Sequence, residues 1–372
     1  MSGLLVYPRI IVKLGTSTLT AGTTRLSLPR LVDLVSQMAA LVNEGCQVLV
    51  VSSGAIAVGR ERLNYPQLPK DIPAKQMLSS VGQPRLMAIY EQLFGLYGLT
   101  VAQVLLTRAD LDDRRRYLNS RNTLAALLAQ GVAPIINEND TVATEEIRFG
   151  DNDNLSALVA SLIEADVLML LTDQPGLLSA DPRRDPNAQL INEVSSAKIP
   201  EELWQAAGGS STSVGTGGML TKLYAADLAR RSGVTVVIAQ GSQNAIIARL
   251  AHGERLGTWF SPTATALDSR KRYILAGKVA GRLTVDDGAA HALRKGGSLL
   301  PVGVVAVDGL FERGDTVRIL DSAANQLANG LVNYASGDVE RIRGLRSDQI
   351  EATLGYVYGD EVIHRDNMVV LG

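Results

Sequence analysis

From Arg9 to about Gly241 the chain alternates short, continuous apolar runs with longer stretches in which apolar residues return every three or four positions. The runs Ile10–Leu14, Gln47–Ser52, Thr100–Leu106, Ala133–Asn137, Val167–Thr172 and Thr235–Ala239 are rich in aliphatic and β-branched residues, and polar residues or glycine follow each one. Near-continuous apolar character over that length marks strands buried on both faces, which is the condition of a parallel sheet. The stretches Leu28–Asn43, Arg115–Gln130, Asn154–Glu164 and Met219–Ser232 carry the helical period and supply crossovers. The pattern predicts an α/β fold, a three-layer αβα sandwich on a mainly parallel sheet.

The pattern changes after Trp259-Phe260-Ser261-Pro262. Beyond Tyr273, short β-type runs are punctuated by glycine and by the turn pairs Asp287-Gly288 and Asp308-Gly309. Strands are expected at Gly281–Val285, Gly303–Val307, Thr316–Leu320, Gln326–Asn333 and Glu361–His364, with one helix at Gly288–Lys295. A chain of 372 residues exceeds what one core commonly supports. The expected division is a large domain over residues 1–260, a linker over 261–274 and a small β-rich domain over 275–372.

Composition narrows the class without naming it. With 46% hydrophobic and 20% charged residues the chain is an ordinary globular sequence, not a disordered one. A formal net charge of −2 gives no general basic field, so any nucleic-acid contact must come from a local patch. Cys46 is the only cysteine and the three histidines are scattered, which excludes a disulfide framework and a zinc site of usual spacing. No apolar run is long enough to cross a bilayer and the first residues do not read as a leader, so a cytoplasmic protein with no membrane association is expected.

In open parallel sheets ligands bind beyond the carboxyl ends of the strands. Gly15-Thr16-Ser17, Ser53-Gly54, Glu138-Asn139-Asp140 and Asp173-Gln174 occupy such positions. Lys13 lies within the first strand just before a glycine-containing loop able to donate backbone N–H groups to an anion, although a lysine snorkelling from an edge strand gives the same pattern. Gly215-Thr216-Gly217-Gly218-Met219 opens the helix that carries Lys222, an arrangement suited to a polyphosphate or, equally, a surface loop. It is neither a Walker A loop nor a dinucleotide fingerprint. Asn137-Glu138-Asn139-Asp140 and Gly150-Asp151-Asn152-Asp153-Asn154 concentrate carboxylates and amides, as a pocket or as helix caps. The second run lacks the glycine and distal glutamate of a calcium loop. His364-Arg365-Asp366 spells the start of a protein-kinase catalytic loop in the wrong context and is expected to be a turn or a domain contact. Arg114-Arg115-Arg116 reads as a solvated helix start, or as a group facing an anion.

Taken in order, Val12-Lys13-Leu14-Gly15-Thr16-Ser17, Ser52-Ser53-Gly54-Ala55-Ile56, Ile136 to Asp140, Gly150 to Asn154, Leu171-Thr172-Asp173 and Gly215 to Met219 resemble the motifs of the amino acid kinase family, and the β-rich tail resembles a PUA domain, a small barrel of RNA-modifying enzymes. The resemblance covers nearly the whole chain. It implies transfer of the γ-phosphate of ATP to the side-chain carboxylate of L-glutamate, giving glutamyl 5-phosphate for proline synthesis, with proline as feedback inhibitor. It further implies that Lys13, Gly15, Thr172, Asp173, Thr216, Gly217, Gly218, Met219, Leu220, Thr221 and Lys222 meet ATP, with Lys13 and Lys222 on the phosphates. Asp153 would orient the two lysines, and Ser53, Asp140 and Asn152 would hold glutamate with Asn137 beside it and Asp151 in the same pocket. Mg²⁺ would be carried mainly on ATP, with its protein ligands unassigned. A homo-oligomer, dimer or tetramer, is expected, and RNA is a candidate partner of the PUA-like domain through Arg341, Arg343 and Arg346. A glutamate side chain, with a reference pKa of ~4.3, is already a nucleophile at neutral pH, so such a site needs no catalytic histidine.

Overall fold

The computed structural model describes residues 5–69, 71–143, 152–182, 185–208, 218–265, 267, 271, 274–275 and 278–371. Contacts divide the chain into two compact units, Met1–Asp112 with Ser120–Ala266, and Asp113–Asn119 with Leu267–Gly372. The short piece Asp113–Asn119 thus groups with the carboxyl-terminal residues, a non-contiguous assignment that no linear reading of hydrophobicity contains. Among the described residues no helix is long and apolar enough to cross a membrane.

The first unit holds strands β1 (Arg9–Leu14), β2 (Gln47–Ser52), β3 (Val101–Leu106), β4 (Ala133–Glu138), β5 (Val167–Thr172), β6 (Glu193–Val194), β7 (Thr235–Gln240) and β8 (Thr258–Phe260). They form one sheet in the order β3-β4-β2-β1-β5-β7-β8-β6. The pairs from β3 through β7 are parallel and only β7 with β8 is antiparallel. The six apolar runs expected as strands are strands, displaced at their ends by a residue at most. The short β6 and β8 escaped the sequence reading because two or three residues carry no period.

Alternation along the central strands builds both outer layers. Ile10, Val12 and Leu14 of β1 join a core with Leu31, Leu34, Val35 and Met38 of the helix Leu28–Asn43, with Leu86, Tyr90 and Phe94, and with Ile246 and Leu250. Residues Ile11 and Lys13 then face the opposite side, where the helices Asn152–Leu162 and Met219–Arg231 lie against the sheet. Helices on both faces explain why β1, β4, β5 and β7 are almost wholly buried.

The helices Ala55–Arg62 and Ile72–Gly95 were not expected, and the second, at 24 residues, is the longest among the described residues. Its polar and apolar residues are mixed around the axis and it contains Pro84, so neither period nor propensity announces it. Asp71 caps it by accepting from Ala74 N at 2.9 Å. The two helices meet backbone to backbone at Gly59 and Gly82: a Cβ on Gly59 would lie 1.8 Å from Leu78 O, and one on Gly82 would lie 1.9 Å from Ala55 O. No rotamer relieves a clash with main chain.

In the second unit β9 (Val279–Val285), β10 (Val304–Asp308), β11 (Thr316–Leu320), β12 (Gln326–Leu331) and β13 (Met368–Val370) form a sheet in the order β10-β9-β11-β12-β13. β9 and β11 are parallel and the other pairs antiparallel. The expected strand Glu361–His364 is corrected: its ladder reduces to one bridge between Ile363 and Leu299, and the last strand is Met368–Val370. Pairing there follows Val369 and Met368, whose side chains reach the buried clusters. His364-Arg365-Asp366 enters a short 3₁₀ turn in which His364 Nδ1 accepts from Asp366 N at 3.2 Å. Arg114 donates to Thr316 Oγ1 at 2.5 Å within this unit, so the start of the arginine cluster is a structural contact.

Gly82→Ala is expected to destabilise the protein by about 3 kcal/mol or more, because the added methyl overlaps main-chain atoms. Gly95→Ala, in the same helix with nothing within 4 Å of the added carbon, is expected to change stability by no more than about 1 kcal/mol and in the stabilising direction. Denaturant unfolding of both variants checks the contrast.

Candidate active site

Helix entry and strand alternation bring three charged groups together. Lys13 projects from β1 toward the face covered by the helix Asn152–Leu162, and Asp153 lies in the first turn of that helix, where the peptide dipoles favour a carboxylate. Lys222 and Thr221 lie in the first turns of the helix Met219–Arg231. Lys13 Nζ is 2.5 Å from Asp153 Oδ1 and Lys222 Nζ is 3.2 Å from Asp153 Oδ2. Thr221 Oγ1 donates to the same Oδ2 at 2.7 Å and lies 3.0 Å from Gly218 O. Lys13, Asp153 and Lys222 are 4%, 2% and 9% exposed, so these charges act at short range with little water between them.

Burial alone would raise the Asp153 carboxyl, but the Lys13 and Lys222 ammoniums, with hydrogen bonds from Lys13 and Thr221, outweigh it and hold the group well below the usual carboxylate range. Asp153 is therefore an anion throughout the neutral range. Two ammoniums converge on this one carboxylate in a buried place, an arrangement suited to an anionic ligand. Each carboxylate oxygen faces one of the two lysines. Among the described residues no group of three or more His, Cys, Asp or Glu side chains is placed to hold a metal ion.

The neighbouring strand ends line the same region. A Cβ on Gly15 would lie 3.5 Å from Lys13 Nζ, which puts the Gly15 backbone beside the ammonium. Leu14 pairs with Leu171, so Thr172 at the end of β5 and Asp173 just after it come next to Gly15, with Thr172 Oγ1 donating to Asp173 Oδ1 at 3.0 Å. Gly218, at φ 84 and ψ −146, adopts a conformation that favours glycine just before Met219 and Leu220 open the helix. Thr216 and Gly217, like Asp151, lie outside the described residues.

A second, uncharged cluster begins one residue away from Asp153. Asn152 Nδ2 lies 2.9 Å from Ser53 Oγ and 3.0 Å from Asn137 Oδ1, and Asn137 Nδ2 donates to Gln83 Oε1 at 2.8 Å. Asn152 Oδ1 is buried and accepts no hydrogen bond from the described residues. Asp140, just beyond β4, accepts from Ser79 Oγ. Burial raises the Asp140 carboxyl above its ordinary value, and the Ser79 hydrogen bond offsets only part of that. The structure thus joins Lys13, Asp153, Thr221 and Lys222 in one group and Ser53, Asn137 and Asn152 in another, with consecutive residues of one helix linking them.

Sequence reasoning missed Ser79, Gln83 and Gln103. Gln83 Nε2 donates to Gln103 Oε1 at 3.1 Å, extending the amide series from Asn137 to the edge strand β3. A signal existed: Gln76, Ser79, Ser80 and Gln83 recur at three- and four-residue spacing along one helix, and Ser79 and Gln83 are buried. Without the helix itself in view, that polar stripe had no frame.

Asp153→Asn is expected to cost about 3–5 kcal/mol of stability at neutral pH, because it removes the carboxylate that both buried ammoniums contact. The folded chain holds the Asp153 carboxyl below its ordinary value, so this contribution is fully present above that ordinary value and is lost as pH falls below it. Urea unfolding of wild type and variant from neutral to acid pH checks the sign, and a pH-independent difference would contradict it.

Known proteins match nearly the whole chain. The model of the amino acid kinase family matches residues 8–240, and that of the PUA domain matches residues 281–354. The chain is 56% identical to the glutamate 5-kinase of Photobacterium profundum over 364 residues, covering 97% of this chain and 96% of that protein. It is 54% identical over 367 residues to the glutamate 5-kinase of Shewanella amazonensis, covering 98% and 96% of the two chains, and 53% identical over 364 residues to that of Vibrio parahaemolyticus, covering 97% and 96%. With one family model matching residues 8–240 and a second matching residues 281–354, the chain belongs to the amino acid kinase family and carries a PUA domain.

Proposed function

We propose that this kinase transfers the γ-phosphate of ATP to the side-chain carboxylate of L-glutamate, the activity named for its curated relatives, to give glutamyl 5-phosphate at the start of proline synthesis. The observation that carries the reading is Asp153 held between Lys13 and Lys222, which fixes two ammoniums beside each other. In this reading the triphosphate lies along Gly15, Thr172, Asp173, Thr216, Gly217 and the turn Gly218-Met219-Leu220-Thr221, with both lysines on its oxygens. Asp153 orients the lysines, and Asp151 belongs to the glutamate side.

Phosphoryl transfer spreads charge over the peripheral oxygens of a loose transition state, so catalysis is mainly positioning and charge stabilisation. The acceptor carboxylate is ionised at neutral pH and gives up no proton, which matches a site built from ammoniums, amides and hydroxyls with no histidine. Mg²⁺, carried on the nucleotide, supplies further charge neutralisation. At the other end Asp140 pairs with the substrate ammonium, Asn152 and Asn137 flank it, and the Ser53 hydroxyl meets the α-carboxylate. Proline, which carries a secondary amine and a carboxylate, can compete for part of that cup as feedback inhibitor.

The same reading makes the enzyme a cytoplasmic homo-oligomer, a dimer or tetramer. RNA is the partner class suggested for the PUA domain. Arg341, Arg343 and Arg346 each already face a carboxylate, at 3.9 Å from Asp338, 2.8 Å from Glu340 and 3.5 Å from Asp348, so phosphates would have to displace these contacts.

The direct test is hydroxamate formation from ATP, Mg²⁺ and hydroxylamine, expected with glutamate and absent with aspartate, acetylglutamate or carbamate. Lys13→Ala and Lys222→Ala are each expected to lower kcat by about 10²-fold or more, and near-normal turnover would remove that lysine from the mechanism. Asp140→Ala is expected to raise the glutamate KM by about tenfold or more while leaving the ATP KM in place. Because the ammonium pairs with ionised Asp140, kcat/KM for glutamate should fall as pH drops through the raised pKa of that group, at higher pH than an ordinary aspartate would give. Asp140→Asn should flatten that acidic limb.

A further inference from the structure

The amide series behind the glutamate cup has a direction. Asn152 Nδ2 lies 3.4 Å from the main-chain oxygen of Ser52, which can only accept, and this contact requires the donor end of the Asn152 carboxamide to face β2. Asn137 Oδ1 must then accept from Asn152, so Asn137 Nδ2 must donate, and it does so to Gln83 Oε1. Gln83 Nε2 passes the same polarity to Gln103 Oε1. Asn152 thus donates on one side to the Ser52 main chain, and from Asn152 to the exposed Gln103 each carboxamide nitrogen donates to the next oxygen outward.

That direction has a consequence for the cup. With its nitrogen turned toward Ser52, Ser53 and Asn137, Asn152 must present its oxygen on the other side, and that oxygen is buried with no hydrogen bond from the described residues. An unfilled buried acceptor calls for a donor on the ligand. Ser53 Oγ accepts from Asn152 Nδ2 at 2.9 Å, which leaves its own proton free for an anionic acceptor. The two side chains therefore present opposite polarities, an acceptor suited to an ammonium and a donor suited to a carboxylate, the pair that distinguishes an α-amino acid from a simple dicarboxylate.

We propose that Gln83 is a positioning residue that locks this polarity, and that through Asn137 it makes the cup select for the amino group of its substrate. The proposal rests on glutamate being the acceptor. Gln83 has no place in the group around Asp153; it acts from the helix Ile72–Gly95 through a 2.8 Å hydrogen bond to Asn137 and is itself buried. If residue 83 could not accept, the Asn137 carboxamide would lose the partner that fixes its rotation. Asn152 could then turn its nitrogen toward the ligand, replacing an acceptor by a donor opposite an ammonium. A site built to hydrogen-bond a ligand group discriminates strongly against its absence only while the partner stays oriented.

The test compares glutamate with glutarate, the same dicarboxylate without the amino group, in wild type, Gln83→Met and Gln83→Glu. Methionine keeps length and removes the strong acceptor, whereas glutamate at 83 retains an acceptor toward Asn137. Gln83→Met is expected to raise the glutamate KM by about tenfold with ATP KM and kcat within about twofold, and to leave the glutarate KM nearly unchanged, so that discrimination collapses by about the same tenfold. Gln83→Glu is expected to keep wild-type discrimination. Equal losses on both substrates in Gln83→Met, or undiminished discrimination, would overturn the proposal. Should Gln83→Met not fold, Gln83→Glu is compared with Gln83→Lys, which can only donate and must abolish discrimination. Absence of hydroxamate from glutamate in wild type would count against the substrate reading alone. The relay is then judged by NMR on the carboxamide protons of Asn137 and Asn152, which must exchange slowly in wild type and faster in the position-83 variant, and rapid exchange in wild type would overturn it.

Discussion

One carboxylate between two ammoniums sets the terms for the rest of this molecule. Asp153 cannot be placed by its own helix alone: it needs β1 to aim Lys13 across the sheet and the helix Met219–Arg231 to deliver Lys222 and Thr221 from more than sixty residues further along the chain. The parallel sheet supplies that convergence, because its strands end on one side and its crossovers begin there. The cost of burying the three charges is met only while all three are present, which ties the stability of the central layer to the geometry of the proposed phosphate site.

The adjoining cluster follows a different physical rule. Around Asp153 the interactions are ionic, whereas around Asn152 they are directional hydrogen bonds between neutral groups, with an acceptor left over among the described residues. Consecutive residues of one helix thus face two chemistries, a polyphosphate on one side and an amino acid on the other in the reading proposed here. Asn152 and Asp153 share an entry turn, so movement of that turn disturbs both halves together.

The architecture of the first unit was legible because continuous apolar runs and helical periods survive in single segments: Ile10–Leu14 and Leu28–Asn43 announce themselves without any tertiary information. The helix Ile72–Gly95 did not, since it packs backbone to backbone at Gly82 and spreads polar groups into the site, and both features erase the period. The same holds for the site. Lys13, Asp153 and Lys222 stood out by motif, while Ser79, Gln83 and Gln103 matter only through partners distant in sequence, such as Asp140 and Asn137. The strand expected at Glu361–His364 failed for a related reason: β-type residues there make one bridge, and pairing with β12 selects Met368–Val370.

The central claim is that the ammoniums of Lys13 and Lys222 grip one triphosphate. A crystal structure of the protein with Mg²⁺ and a non-hydrolysable ATP analogue measures this directly. The account predicts phosphate oxygens within hydrogen-bonding distance of both Nζ atoms, with Asp153 still bridging them. A triphosphate bound so that either ammonium has no contact with it would contradict the account.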